Sequence, residues 1–171
     1  MTLTQTSTQA LTFRELLDYT ATENERWERW LTAQPESILD VPVGEGRTAT
    51  VRGLLQHIFA VERRYADRLQ DQPASDYGVI DTSSVASLFA GGRDARERLE
   101  QYLATATDDD LGRRLEFQTL TAGKQAASAR KIVAHTLLHG VRHWAQLATA
   151  LRQSGYTTDW LHVLLASPAL V

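Results

Sequence analysis

The chain has 171 residues, 18 Lys and Arg against 21 Asp and Glu (net charge -3), five His and no Cys. An apolar fraction of 43% in a chain of this length suits one domain, spanning 1–171, with its own core, and the acidic balance argues against a protein that wraps nucleic acid. Without Cys there is no disulfide framework, thiolate nucleophile or Cys-ligated zinc, so any metal must be held by imidazole and carboxylate.

Residues 1–11 are rich in Thr and Gln and read as a loosely ordered lead-in. They carry no signal-peptide pattern, and no stretch approaches the ~20 apolar residues of a membrane span, so the expectation is a soluble, cytoplasmic protein without membrane or nucleic-acid partners. Thr12 and Glu15 have the form of a capping box that opens a first helix. Leu16, Thr20, Glu23, Trp27, Trp30 and Leu31 follow at helical spacing, and the helix stops before Pro35. Residues 35–49, with two Pro and two Gly, read as a connecting loop. A second helix starts near Thr50, buries Leu54, Leu55, Ile58, Glu62 and Leu69, and ends before Pro73. Residues 71–81 read as loop.

Ser83 or Ser84 caps a third helix with Leu88, Phe89, Ala95 and Leu99 on its face. The pair Gly91-Gly92 predicts a kink, or a start after the pair, because each Gly costs about 1 kcal/mol against Ala. Asp108-Asp109-Asp110 reads as a solvated acidic turn. In 111–124 the alternation of Leu115, Phe117 and Thr119 with Glu116, Gln118 and Leu120 predicts a short extended segment. A fourth long helix runs from about Ser128 to Ser154 and ends at Gly155, and Trp160–Ala166 closes the chain as a short helix. The fold expected is all-α, a bundle of long amphipathic helices.

The fourth long helix places His135, His139 and His143 four residues apart. Each step of four advances ~6 Å and rotates only ~40°, so an adjacent pair can converge on one divalent ion. All three cannot, because His135 and His143 stand ~12 Å apart along the axis. A pair needs a partner from elsewhere, and His57, at the edge of the second helix's apolar stripe, is the candidate. Three imidazoles and an open position describe a catalytic rather than a closed metal site. Ring tips more than ~8 Å apart would exclude a common coordination shell.

Glu23 and Glu62 fall on apolar faces, where a carboxylate is costly unless paired. The favoured reading is an ion pair with an Arg from another helix; the functional one is orientation of a ligating imidazole, or general-base work. Gln146, one turn beyond His143, is read either as a partner near the site or as a surface residue. Trp27, Trp30, Trp144 and Trp160 read as core or interface aromatics, and His162 as an exposed or packing residue.

The run His139-xxx-His143-xx-Gln146, continued by Leu147 and Leu151-Arg-Gln-Ser-Gly155, resembles the last bundle helix of the DinB family. The stretch Thr50-Val-Arg-Gly-Leu-Leu-Gln-His57-Ile-Phe-Ala-Val-Glu62 resembles that family's second helix, and Leu120-Thr-Ala-Gly123 and Asp159-Trp-Leu are also similar. The resemblance implies a four-helix bundle with one divalent metal on His57, His139 and His143. Three imidazoles suit zinc, nickel, cobalt, copper or iron, and manganese with water ligands; zinc and nickel stand first. It also implies a homodimer and a small-molecule substrate, such as a low-molecular-weight thiol, in a thiol-transfer or hydrolytic reaction. The other reading is a non-catalytic dimeric bundle whose metal is structural or absent. His135 is extra to the triad and is expected at the core edge or in the pocket, with proton shuttling as its functional alternative. One departure stands out: Arg-Gly often follows the family's last His, and here Trp144-Ala145 does.

Overall fold

The computed structural model describes residues 10–158, 164–165 and 167–169. Most of the expected lead-in and of the closing helix, with Trp160 and His162, lies outside the described residues. Four long helices, α1 (Phe13–Thr32), α2 (Val51–Leu69), α3 (Val85–Thr105) and α5 (Ala129–Gln153), form a bundle. Short α4 (Asp108–Gly112) and an antiparallel hairpin of β1 (Arg114–Thr119) and β2 (Gly123–Ser128) lie between α3 and α5.

Each long helix begins where a hydroxyl can cap it. Thr12 and Glu15 close a capping box on α1, Thr50 accepts from the Gly53 amide on α2, and Ser128 accepts from the Lys131 amide on α5. Ser84 caps α3, and Ser87 replies to its backbone. Gly155, at φ +87°, follows the end of α5 in the left-handed region that favours glycine.

The helix α3 runs unbroken through Gly91 and Gly92, against the expected kink. A Cβ on Gly92 would lie 2.6 Å from the Phe59 ring, and one on Gly91 would lie 3.0 Å from Ile80. The two glycines let α3 press onto α2 and the loop behind it, and that packing outweighs their weak helical propensity. The triple Asp run is also not a plain turn. Thr107 and Asp110 form a capping box, and the three carboxylates occupy the first turn of α4, where the helix dipole favours them. The extended segment is one half of a hairpin in which Leu115 faces Ala127 and Phe117 faces Gln125. The loop over 35–49 holds turns at Glu36–Asp40 and Gly46–Thr48 and buries Ile38 and Leu39 completely.

Both α1 and α2 pack on α3 and α5, so α1 and α2 sit across the bundle's diagonal. One end of the core is aromatic. The Trp144 ring stacks on Trp27 at 5.5 Å and on Phe89 at 6.2 Å, and its indole N–H donates to Asn24 at 3.1 Å. The position where the family often carries Arg is thus a core side chain here. The other end gathers Leu17, Leu69, Leu99, Ile132, Val133 and Leu137. Helices α2 and α5 run antiparallel along their shared seam: His57 meets His139 and His143, while Tyr65, two turns on, meets His135.

Candidate metal centre

On α2, His57 lies at the rim of the apolar stripe set by Leu54, Ile58 and Val61, half-buried and facing α5. On α5, His139 and His143 are one turn apart, share a face and meet it. The His139 Nε2 is 3.2 Å from His57 Nε2 and 3.1 Å from His143 Nε2. Nitrogens held tetrahedrally at the ordinary zinc distance lie about 3.4 Å apart. Among the described residues these three form the cluster of side chains able to share an ion, with ligand atoms all within 4.8 Å of one another.

The outer nitrogens of two rings are tethered. His143 Nδ1 lies 2.9 Å from Gln146 Oε1, and His57 Nδ1 lies 3.2 Å from the Tyr77 hydroxyl. A carbonyl oxygen only accepts, so neutral His143 carries its proton on Nδ1 and turns the Nε2 lone pair inward. The same tautomer of His57 donates to Tyr77. The three inward nitrogens then share at most one proton, on His139, which satisfies one neighbour and leaves the other contact between two lone pairs. A further proton is disfavoured. Burial, then the neighbouring His143 and Arg47, push His57 down to about 4; burial, then His143 and His57, push His139 down to about 3. Burial also lowers His143, against the pull of Gln146. What the geometry accommodates is a cation that accepts lone pairs.

The cluster opens onto a cavity of about 650 Å³, within the range of small-molecule sites. Tyr65, Tyr77 and the β1–β2 turn wall it, together with Arg47, Arg64, Arg68 and Arg142. His135 also lines it. Its ring centre is 5.6 Å from that of His139 and 5.4 Å from that of Tyr65, and it stands outside the three-nitrogen cluster.

The buried carboxylates serve the bundle. Glu62 pairs with Arg96 of α3 at 3.0 Å, as expected of an interhelical pair, and burial raises its pKa. Glu23 pairs with Arg26 of its own helix at 3.1 Å, one turn away rather than across the bundle. Sequence reasoning missed Tyr77, which sits in a short turn without periodicity, and the four arginines. Arg64 and Arg68 had a signal, since they fall 7 and 11 residues after His57 and so share its stripe on α2.

A bundle of four long helices with three converging imidazoles beside an open cavity defines the class. The DinB family model matches residues 4–168, and the chain belongs to the DinB family. No curated protein matches it. Among solved structures it is similar to YfiT from Bacillus subtilis, at 16% identity and a TM-score of 0.63, over 87% of this chain and 93% of that one. That protein is described as a probable metal-dependent hydrolase with an unusual four-helix bundle topology. No described helix is long and apolar enough to cross a membrane.

Proposed function

We propose that the chain, acting as one DinB domain, is a metal-dependent enzyme that holds one divalent cation on the Nε2 atoms of His57, His139 and His143. The observation that carries this reading is the convergence of three imidazole Nε2 atoms, sharing at most one proton, beside an open cavity. A cation bound there would lower the pKa of a water or thiol ligand and make a nucleophile available near neutral pH. The protein's own part is positional. Tyr77 and Gln146 fix the tautomers and ring planes of His57 and His143. Tyr65, Tyr77 and the β1–β2 turn wall the space in which a substrate lies. The reaction class is hydrolysis, or transfer of a small thiol to an electrophile. The description of YfiT supports the hydrolytic form, and the family resemblance supports both.

The cavity argues against the non-catalytic reading, in which protein would close the remaining coordination position. Cobalt substitution tests this. Purified protein loaded with Co(II) is expected to show visible bands that shift when a small thiol is added, with a new sulfur-to-metal charge-transfer band. A loaded protein whose spectrum ignores thiol, azide and pH would mark the site as closed and structural.

A further inference from the structure

The cavity is markedly one-sided in charge. Arg47, Arg64, Arg68 and Arg142 line it and, among the described residues, no Asp or Glu does, in a chain whose net charge is -3. Several arginines elsewhere find carboxylates: Arg63 pairs with Asp67, Arg93 with Glu28, Arg96 with Glu62 and Arg113 with Asp71. None of the four cavity arginines is in an ion pair with a carboxylate among the described residues. Their fixed contacts are to neutral groups. The Arg64 guanidinium donates to the Ser75 carbonyl, and that of Arg68 to the Gln118 carbonyl at 3.0 Å. Each thereby commits part of its five-donor fork and keeps the rest available.

The cations are also crowded. The guanidinium carbons of Arg47 and Arg64 lie 4.4 Å and 5.6 Å from the centre of one ring, that of Tyr77, whose hydroxyl meets His57. Arg68 lies 5.1 Å from the Tyr65 ring centre and 5.0 Å from that of Phe117. Such aromatic seats orient the guanidinium planes and leave their edges exposed to a ligand. The backbone is shaped for this crowding too. A Cβ on Gly53 would lie 2.4 Å from the Arg47 carbonyl, so only a glycine in α2 lets the Arg47 loop settle this close. Burial, then the neighbouring Arg64, lower the pKa of Arg68, and the opposing pull of Tyr65, Asp67 and Tyr77 does not cancel them.

We propose that the substrate of the histidine centre is a small molecule with at least one oxyanion, a carboxylate or phosphate, which Arg47, Arg64 and Arg68 clamp while its reacting end lies at the imidazole cluster. Planar guanidinium forks pair with either oxyanion through two parallel hydrogen bonds. The exposed Arg142, beside His143 on α5, adds attraction for the incoming anion. The proposal rests on the reading of this cavity as the substrate site, but oxyanion capture itself needs no metal.

The test is calorimetric titration of metal-stripped protein with inorganic phosphate and with glutarate, at an ionic strength of about 0.15 M. Glutaramide serves as the uncharged control. At least one anion is expected to bind saturably while glutaramide does not, and Arg64→Gln and Arg68→Gln each weaken binding by roughly tenfold. Phosphate binding tighter points to a phosphorylated substrate and glutarate binding tighter to a polycarboxylate; both outcomes support the proposal. Arg47→Gln and Arg142→Gln alter exposed side chains, so they keep the test open if the half-buried variants do not fold. The proposal is overturned if neither anion binds below about 10 mM, if glutaramide binds equally well, or if all folded variants bind like wild type. A separate zinc titration of the same stripped protein tells the two readings apart. Zinc uptake without anion binding defeats only the oxyanion clamp, and anion binding without zinc uptake defeats only the metal centre.

Discussion

Replacing Tyr77 by Phe removes one oxygen and keeps the ring that stacks on His57 at 6.2 Å and underlies Arg47 at 4.4 Å. What is lost is the 3.2 Å contact to His57 Nδ1. In the metal-free protein that is a neutral hydrogen bond worth about 1 kcal/mol net. A cation on Nε2 polarises the ring, so the Nδ1–H bond becomes charge-assisted and is worth about 1.5–3 kcal/mol. The difference, about 0.5–2 kcal/mol, falls on the bound state alone and predicts metal binding weaker by roughly 2- to 30-fold, around the lower edge of what such outer partners contribute. Gln146→Met, which removes the 2.9 Å acceptor of His143, is expected to cost at least as much, because that contact is shorter. Competition for zinc between stripped protein and a chromophoric chelator at pH 7 measures both variants. If both bind zinc within about twofold of wild type while melting normally, neither contact orients a ligand and the argument from tautomers fails.

Two further outcomes follow from the same packing and charge. Ordinary imidazoles, titrating near 6.5, would lose roughly tenfold in metal affinity per ligand between pH 7 and 5.5. With His57 held at about 4 and His139 at about 3, the total loss over that range is expected to stay below about tenfold, read by the same chelator competition. These depressed values also bear on stability. The unfolded chain takes up protons first, so the metal-free fold keeps this contribution above about pH 6.5 and loses it as pH falls towards 4 and then 3, seen as a falling melting temperature. In the bundle, Gly92→Ala forces a methyl to within 2.6 Å of Phe59 and is expected to destabilise by about 1–2 kcal/mol, after about 1 kcal/mol of helical gain. Gly140→Ala on α5, where a Cβ meets nothing within 4 Å, is expected to stabilise by about 0.5–1 kcal/mol; urea denaturation of the pair checks the sign of each.

The helices were legible because their signals are local. The Thr12–Glu15 box, the Thr50, Ser84 and Ser128 caps and the apolar periods all lie within a few residues of what they specify. Where the reading failed, the deciding contact is distant. Gly91 and Gly92 read as a kink or a late helix start until Ile80 and Phe59 are seen against them. Strand β2, Gly-Lys-Gln-Ala-Ala-Ser, has little β-propensity of its own and is held by its register with β1. The Asp108–Asp110 run did carry a local signal, Thr107 with Asp110 three residues on, that was passed over for its charge. At the site, the four-residue spacing on α5 exposed the histidine pair, the edge of α2's apolar stripe offered His57 as the third, and the resemblance to the DinB family implied the same three residues. Tyr77 and Arg47 come from turns whose approach to α2 depends on the tertiary fold, and no periodicity marks them.

The most direct measurement is elemental analysis of protein purified without added metal or chelator, beside a His57→Ala/His139→Ala/His143→Ala variant. The account predicts about one divalent ion per chain in the wild type and less than about a tenth in the variant, as expected for a single shell built on three imidazoles. Wild-type protein that holds less than about a tenth of an ion even after reloading, or a triple variant that keeps its full complement, would contradict it.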